Sequence, residues 1–390
     1  MRVRLSPARP RRLATLIALT MLLLFVLSSI VFARSIAGGG LHKQTNQTSN
    51  IPGLAKHADS GGGLYKQTNL VSDIPGMAKH TDPNLVNPWG ISFVPTNAFW
   101  IADNNSGLST LYDGKGNIQS LVVTIPPAKG DTTGSSTGTV FSSFSGAFMV
   151  TEKGISGTSG FLFDSEDGTI SGWNPLVDPN HAVIAVHNSG AVYKGLAIAA
   201  VHANPYLYAA NFRAGTIDVF DKHFAPATLQ GSFQDPGIPK GYAPFNIQSL
   251  GSKLYVTYAQ QDKARQDDVP GQGRGFLDVF DDNGNLLKRL VSHGQLNAPW
   301  GLALASANFG LFSNDLLVGN FGNGSINAFD PNTGAFLGTL KDSQNQPIHI
   351  DGLWALAFGG GGDSGQPNQL FFTAGIQKEQ HGLFGIIEAI

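Results

Sequence analysis

The sequence contains no cysteine and few charged side chains. Without cysteine there are no disulfides, no thiol redox chemistry and no thiolate metal sites. Charged residues make up 13% of the chain, about half the usual share. The net charge of -2 gives no reason to expect a nucleic acid as partner. The sequence also has no HExxH pair, no nucleophile elbow and no dinucleotide fingerprint opening a helix. Familiar catalytic motifs therefore assign no activity.

Glycine and short apolar runs are abundant instead. The chain has 49 glycines in 390 residues, against an average of about 7%. The stretch DLLVGNFGNGSINAFD, Asp315 to Asp330, predicts two β-strands joined by a Gly/Asn turn. APWGLALA before it and AFLGTL after it predict two more strands. Four strands in about 45 residues are typical of one blade of a β-propeller.

Weaker copies of this unit recur along the chain. Aligning Asn320, the end of the second strand, on its counterparts gives six repeats, which predict an all-β, six-bladed propeller of four-stranded blades. The last repeat lacks an outer strand, and we expect the segment Leu64 to Ser72 to complete that blade and close the ring. The aligned positions are Asp103, Asp164, Asn211, Tyr258, Asn320 and Ala374.

The N-terminal part divides into two further segments. Residues 1–33 combine basic residues with an apolar stretch and a small-residue end, which predicts a secretory signal peptide. An uncleaved membrane anchor is the alternative, because the apolar stretch is about long enough to span a bilayer. Residues 34–63 are predicted to be a linker containing the first copy of a tandem duplication, Gly38–Ser60, whose second copy is Gly61–Asp82. Residues 64–390 then form the propeller.

Strand order predicts which face carries function. In a four-stranded blade the innermost strand begins on the face where the second strand ends; we call it the mouth face, because it surrounds the mouth of the central channel. A ligand site is expected there. The insertion Ala259–Gly275 leaves on the same face and is a candidate lid or partner surface. The candidate ligand-binding residues are Asp103, Asp164, Asn211, Tyr258, Asn320, Trp89 and Trp300.

Four of these residues suggest a metal as an alternative. Asp103, Asp164, Asn211 and Asn320 offer the oxygen ligands that calcium prefers. The other interpretation is that each side chain bonds backbone groups of the turn that it opens.

Several motifs resemble those of a known family. NLVSDIPGMA, NLVNPWGISF, FWIADNNSG and APWGLA, in this order, resemble an uncharacterised family of exported bacterial β-propeller proteins, some of which end in a PEP-CTERM tail. That tail is absent here. More distantly, the pattern is similar to NHL-type six-bladed propellers. The resemblance implies the fold and export from the cell, and it implies no catalytic residues.

Together these observations predict a secreted, non-catalytic binding or scaffold protein. Its partner is expected at the channel mouth and is a small molecule, a glycan or a protein, with no nucleic acid. A membrane is involved only if the N-terminal segment stays uncleaved, and a monomer is expected. No cofactor is expected in this interpretation. The alternative is a calcium-dependent hydrolase or lactonase-like enzyme with the metal at the channel mouth.

Overall fold

A computed structural model of the protein describes residues 63–390. The predicted signal peptide, and all but the last residue of the predicted linker, lie outside the described residues. Within them the chain is almost entirely β. In chain order the strands are β1 (Tyr65–Ser72), β2 (His80–Thr81), β3 (Pro88–Phe93), β4 (Phe99–Asp103), β5 (Leu108–Tyr112), β6 (Val123–Thr124), β7 (Ser136–Phe141), β8 (Met149–Glu152), β9 (Ile155–Thr158), β10 (Phe161–Ser165), β11 (Thr169–Trp173), β12 (Val183–His187), β13 (Tyr193–Val201), β14 (Asn204–Asn211), β15 (Thr216–Phe220), β16 (Tyr242–Leu250), β17 (Lys253–Gln260), β18 (Phe276–Phe280), β19 (Leu286–Ser292), β20 (Pro299–Leu304), β21 (Leu316–Asn320), β22 (Ile326–Phe329), β23 (Phe336–Thr339), β24 (Leu353–Phe358), β25 (Leu370–Gly375) and β26 (His381–Ala389).

Helical structure is confined to short turns in this part of the chain. Two 3₁₀ turns cover Gly310–Phe312 and Gly362–Ser364. A single further turn covers Ile376–Glu379. Between residues 63 and 390 no helix is long and apolar enough to cross a membrane.

The strands form six blades around a central axis. From the inside outward the blades are β3-β4-β5-β6, β7-β10-β11-β12, β13-β14-β15, β16-β17-β18-β19, β20-β21-β22-β23 and β24-β25-β26-β1-β2. The innermost strands β3, β7, β13, β16, β20 and β24 contact one another in turn, and β24 contacts β3 to close the circle. The predicted six-bladed propeller is confirmed.

Three blades differ from the four-stranded plan. Blade 6 has five strands, because the short strand β2 pairs with β1 at its outer edge. Blade 3 has three strands, and beyond them only a bridge joins Phe220 to Pro226. Proline has no N–H to donate to a ladder, so a regular fourth strand does not form there. In blade 2 an extra hairpin, β8–β9, is inserted between β7 and β10. Its alternating residues are too weakly patterned to be noticed in the sequence.

Strand β1 closes the ring as predicted. It pairs antiparallel with β26, from Tyr65 opposite Ala389 to Ser72 opposite Leu383. Tyr65, Leu70 and Val71 are fully or almost fully buried. Burying a Leu or Val side chain stabilises a fold by about 1.5–3 kcal/mol, so these residues hold the N-terminal strand in place.

Polar bonds secure the end of the same strand. The Asp73 carboxylate accepts the backbone N–H of Gly382 at 2.8 Å and lies 2.6 Å from Nδ1 of His381. The Ser72 hydroxyl donates to the carbonyl of Gly382 at 2.7 Å. The closure therefore combines apolar burial with bonds to β26.

The core lies between neighbouring blades. The second strands β4, β10 and β21 are buried at every position, because a blade is covered on both faces. Between blades 1 and 2 the ring of Trp100 stacks on Phe161, with centroids 3.9 Å apart, and tilts against Trp173. Outer strands such as β23 are largely exposed or half-buried. The strands of a blade therefore become more exposed to solvent toward its outer edge.

Candidate functional site at the channel mouth

The second strand of a blade ends beside the start of its innermost strand. The register shows this pairing directly, and it places the strand ends on the mouth face as the strand order predicts. The pairs are Pro88 with Asp103, Tyr193 with Asn211, Pro244 with Tyr258, and Pro299 with Asn320.

The two candidate aspartates bond within their own blades. Oδ2 of Asp103 accepts hydrogen bonds from the backbone N and the hydroxyl of Thr110, at 3.1 and 2.8 Å. Oδ1 of Asp164 accepts the backbone N–H of Gly138 at 2.6 Å and the hydroxyl of Thr137 at 2.9 Å. Burial raises the pKa of Asp164 to about 6. Each carboxylate therefore bonds a neighbouring strand of its own blade, β5 for Asp103 and β7 for Asp164.

The two candidate asparagines do the same with both ends of the amide. Oδ1 of Asn211 accepts the backbone N–H of Ala214 at 3.1 Å. Oδ1 of Asn320 accepts the backbone N–H of Asn297 at 2.9 Å, and its Nδ2 donates to the carbonyl of Gln295 at 3.0 Å. These contacts organise the turns at the blade ends.

This arrangement does not fit a shared calcium ion. Calcium takes about six to eight oxygen ligands, whereas one side-chain oxygen of each of the four candidates is already bonded to local backbone or hydroxyl groups; the candidates are Asp103, Asp164, Asn211 and Asn320. Oδ1 of Asp103 and Oδ2 of Asp164 have no partner among the described residues. Across residues 63–390 no group of three or more His, Asp or Glu side chains is placed to hold a metal ion. The bonds of Asn211 and Asn320 match the other interpretation, in which the side chain bonds backbone groups of nearby turns and loops. The two aspartates instead bond residues of neighbouring strands, Thr110 on β5 and Gly138 on β7.

The aromatic candidates fill the centre of the channel below the mouth. Trp89 stacks on Trp354 with ring centroids 3.5 Å apart and meets the edge of Trp300 at 6.1 Å. Nε1 of Trp300 donates to the carbonyl of Lys194 at 2.8 Å. We call this buried group the aromatic floor; its members are Trp89, Phe212, Phe245, Trp300, Phe321 and Trp354.

Tyr258 has a different place. It is 4% exposed and packs in the cluster between blades 3 and 4. Burial, together with the charge of Asp278, raises its pKa well above the usual value. The structure therefore does not bring Tyr258 into the aromatic floor.

A buried lysine lies on the aromatic floor. Lys194, the second residue of β13, is 2% exposed. Its Nζ lies 2.5 Å from Oε1 of Glu166 and 3.5 Å from Oδ1 of Asp267. It also lies 5.1 Å from the ring centroid of Trp89 and 5.9 Å from that of Phe212, within reach of a cation–π interaction. Residues of blades 1, 2, 3 and 4 thus meet at one ammonium group.

Blade 6 contributes a further carboxylate. Two adjacent asparagines from blade 1 connect it to the site: Nδ2 of Asn104 donates to Oε2 of Glu166 at 3.1 Å, and Nδ2 of Asn105 donates to the carbonyl of Glu379 at 2.6 Å. Glu379 interacts electrostatically with Glu166 and Lys194. We call this group the Lys194 cluster; its members are Lys194, Glu166, Asp267, Asp268 and Glu379.

The backbone that carries Glu379 is strained. Gln377, Lys378 and Glu379 have φ values of 54°, 60° and 64°, so three successive residues with side chains are left-handed. Such a residue costs roughly 1–2 kcal/mol. The N–H of Gln377 donates to Oδ2 of Asp351 at 2.8 Å, which helps to hold the turn. Strain of this kind is concentrated at functional sites.

The pKa values of Glu379, Asp268 and Lys194 are all raised. Burial, then repulsion from Glu166 and the neighbouring aspartates, raises the pKa of Glu379 to about 7. Burial raises the pKa of Asp268 to about 6, although Lys194 opposes the shift. Burial lowers the pKa of Lys194, but the surrounding carboxylates outweigh that effect and raise it overall. Lys194 is therefore an ammonium ion at neutral pH and not a free amine nucleophile.

The sequence indicated the mouth face but did not single out the residues of the Lys194 cluster. The insertion Ala259–Gly275, expected to be a lid or partner surface, supplies Asp267 and Asp268 to the cluster. Glu166 follows the end of β10, and Lys194 follows the first residue of β13. A search for charged residues both beside the aligned strand ends and at the starts of the innermost strands would have found both. Glu379 had no such signal, because its position depends on the left-handed turn.

Comparison with known proteins identifies relatives. No family model matches the chain. It is 34% identical over 318 residues to the uncharacterized protein R648 of Acanthamoeba polyphaga mimivirus, which covers 78% of this chain and 76% of that protein. It is also 34% identical over 313 residues to protein L690 of the same virus, covering 78% and 80%. The chain belongs to the family of these two proteins. These family members are viral, whereas the motifs resembled an exported bacterial family; the propeller fold is the part of that resemblance that is confirmed.

Solved structures with similar folds are distant. A streptogramin B lyase is 11% identical with a TM-score of 0.46, covering 84% of this chain and 98% of that one. The PQQ-bound aldose sugar dehydrogenase of Streptomyces coelicolor is 13% identical with a TM-score of 0.47, covering 84% and 99%. Likeness at this level carries no argument about what this family member does.

Proposed function

We propose that this family member is a binding protein that holds a small ligand at the mouth face, above Lys194. One observation carries the proposal: residues from separate blades meet at a single buried ammonium group on a closed aromatic floor. Glu166, Asp267, Asn104 and Trp89 all contact Lys194 or its partner carboxylate. A propeller needs apolar packing at its centre, and it has no structural need for a buried charge there.

The exposure of the cluster's side chains to solvent also supports a site on the mouth face. The Asp267 side chain is 70% exposed, whereas that of Lys194 is 3% exposed. The cluster therefore runs from solvent down to the aromatic floor. A ligand entering from the mouth face would meet carboxylates first and aromatic rings last. This gradient is the usual make-up of a small-molecule site, in which a few polar groups orient the ligand.

The enzyme alternative has less support. A calcium-dependent hydrolase or lactonase requires a metal set that Asp103, Asp164, Asn211 and Asn320 do not share. Export, proposed from residues 1–33 and from the bacterial resemblance, is independent of the mouth-face site. A secreted monomer that binds a small molecule remains our proposal for the whole protein.

A thermal-shift screen tests the binding function. Amines, neutral sugars, carboxylates and phosphates are each added at millimolar concentration, because a ligand that binds only the folded state raises Tm. A compound bound at the mouth should lose its effect in the double variant Glu166→Gln, Asp267→Asn. It should keep its effect in Asp131→Asn, which alters an exposed loop carboxylate outside the cluster.

The screen has a clear contrary result. If no class of compound raises Tm, or if every rise persists in the double variant, the mouth face is not the binding site. A rise that depends on the two carboxylates supports the proposal, whichever class of compound produces it.

A further inference from the structure

Two buried polar atoms in groups around Lys194 have no hydrogen-bond partner among the described residues. One is Oδ2 of Asp268, an acceptor. The other is Nε1 of Trp89, a donor, in a side chain that is 3% exposed. A buried polar group without a partner costs about 1–3 kcal/mol, so such atoms are rare in native proteins and need a reason. Oδ1 of Asp103 and Oδ2 of Asp164 are also without a partner, but these residues are not members of the Lys194 cluster.

The indole N–H groups of the other two floor tryptophans both have hydrogen-bond partners. Nε1 of Trp300 donates to the carbonyl of Lys194 at 2.8 Å, and Nε1 of Trp354 donates to Oδ1 of Asn87 at 3.1 Å. Only Trp89 in this trio has an unused donor. The surroundings of Lys194 therefore present one unused acceptor, on the Asp268 carboxyl group, and one unused donor, on the Trp89 ring.

Charge balance defines the ligand further. The cluster has four carboxyl groups, Glu166, Asp267, Asp268 and Glu379, around the single cation Lys194. Glu166 lies close to that cation at 2.5 Å, whereas Asp268 and Glu379 repel one another. An added cation would relieve this repulsion, and an added anion would increase it.

We propose that the ligand carries an ammonium group together with a nearby hydrogen-bond acceptor such as a hydroxyl oxygen. The inference rests on the binding function proposed above and adds the chemical class. The ammonium group donates to Oδ2 of Asp268 and neutralises the excess carboxylates. The ligand oxygen accepts the N–H of Trp89.

A metal ion and a neutral ligand fit these observations less well. Within residues 63–390 no set of side chains is placed to hold a metal, and a metal ion offers no acceptor to Trp89. A neutral polyol would leave the carboxylate excess unchanged. An amino alcohol or amino sugar supplies both missing partners.

Three small probes separate the two requirements. Ethanolamine has the ammonium group and the hydroxyl, ethylamine has only the ammonium group, and ethylene glycol has only hydroxyls. At pH 8 and saturating concentration we expect ethanolamine to raise Tm by about 2 °C or more. Ethylamine should give a clearly smaller rise at equal concentration, and ethylene glycol none. Ethylene glycol lacks the charge-assisted contact to Asp268, whose loss weakens binding by about tenfold or more. Ethylamine lacks only the neutral bond from the Trp89 N–H to the hydroxyl oxygen.

Variants locate the effect. Asp268→Asn keeps the shape of the side chain but removes its charge, so it should abolish most of the ethanolamine shift. Trp89→Phe removes the donor and keeps a ring on the floor, so it should make ethanolamine and ethylamine equivalent. Asp131→Asn should behave as the unaltered protein does.

The outcomes separate the two proposals. If ethylene glycol or a neutral sugar stabilises the protein through the cluster while ethanolamine does not, the binding function stands and the ammonium inference is overturned. If ethanolamine stabilises it equally in Asp268→Asn, the ammonium inference is also overturned. If no probe of any class stabilises it, both proposals fail.

Discussion

Replacing Lys194 with methionine should destabilise the protein in a pH-dependent way. The substitution keeps the length and apolar packing of the side chain but removes the only ammonium group in the cluster. Lys194 is 2% exposed and pairs with Glu166 at 2.5 Å. Removing one partner of a buried ion pair costs about 3–5 kcal/mol, because the other charge stays buried without compensation.

The pH dependence follows from the raised pKa of Glu379. Folding raises this pKa from 4.5 to about 7, so ionisation of Glu379 opposes folding. The stability associated with it is present below pH 4.5 and is lost as pH rises through about 7. Without Lys194 the carboxylates lose their counter-charge, and this loss becomes steeper. We expect Lys194→Met to cost about 3–5 kcal/mol at pH 8 and about half of that at pH 5.

Urea unfolding followed by tryptophan fluorescence measures the effect. The buried rings of Trp89, Trp300 and Trp354 lie beside the altered residue and report directly on its surroundings. The midpoint should fall more at pH 8 than at pH 5. Lys253→Met, at an exposed position on β17, is the matched control and should change stability by less than about 0.5 kcal/mol. A loss below about 1 kcal/mol at pH 8, or an equal loss at both pH values, would refute the electrostatic reasoning.

Three further predictions concern the frame and the metal alternative. Burial, then repulsion from Asp235, raises the pKa of Asp278 to about 7, so ionisation of Asp278 opposes folding. In urea melts, Asp278→Asn should therefore stabilise the folded protein by about 2 kcal/mol at pH 8 and by much less at pH 4. An equal effect at both pH values would contradict this. The double variant Leu70→Gln, Val71→Thr gives β1 the residues of the first duplicated copy and should lower the free energy of unfolding by about 3–5 kcal/mol in urea melts. The control Lys66→Gln, at an exposed position of the same strand, should lower it by less than about 0.5 kcal/mol. A similar cost for the two variants would count against ring closure by β1. Finally, calcium and EDTA should change Tm by less than about 1 °C, whereas a shift of several degrees would restore the calcium alternative.

The fold could be predicted because its rules are local and repeated. The Asp315 to Asp330 hairpin shows apolar runs, Gly/Asn turns and a repeat length that only a few architectures satisfy. Ring closure followed from Leu70 and Val71, apolar residues in the copy that becomes β1. The position of strand ends on one face also followed from topology alone.

The site was predicted only to the level of a face. Asp103 and Asn320 stood out because they repeat, yet each side chain bonds within its own blade, Asp103 to Thr110 of β5 and Asn320 to the backbone of the loop before β20. Lys194 and Glu379 do not repeat. They come together only through the circular arrangement of blades and a left-handed turn, which contains no glycine and so could not be recognised in the sequence. The proposed site therefore rests on residues that break the repeat.

The pH dependence of ethanolamine binding tests the proposed ammonium site at the Lys194 cluster most directly. If the ammonium group binds beside Glu379, it must displace the proton that this carboxyl group holds below its pKa of about 7. Between pH 6 and pH 8 the Kd should therefore fall by about tenfold through Glu379 and by about a further twofold through Asp268, whose pKa is about 6, and it should level off above that. Titration followed by tryptophan fluorescence measures it, with Glu379→Gln as the comparison that keeps only the smaller dependence due to Asp268. A Kd that does not change with pH, or binding that is equally pH-dependent in Glu379→Gln, would contradict an ammonium site at the Lys194 cluster.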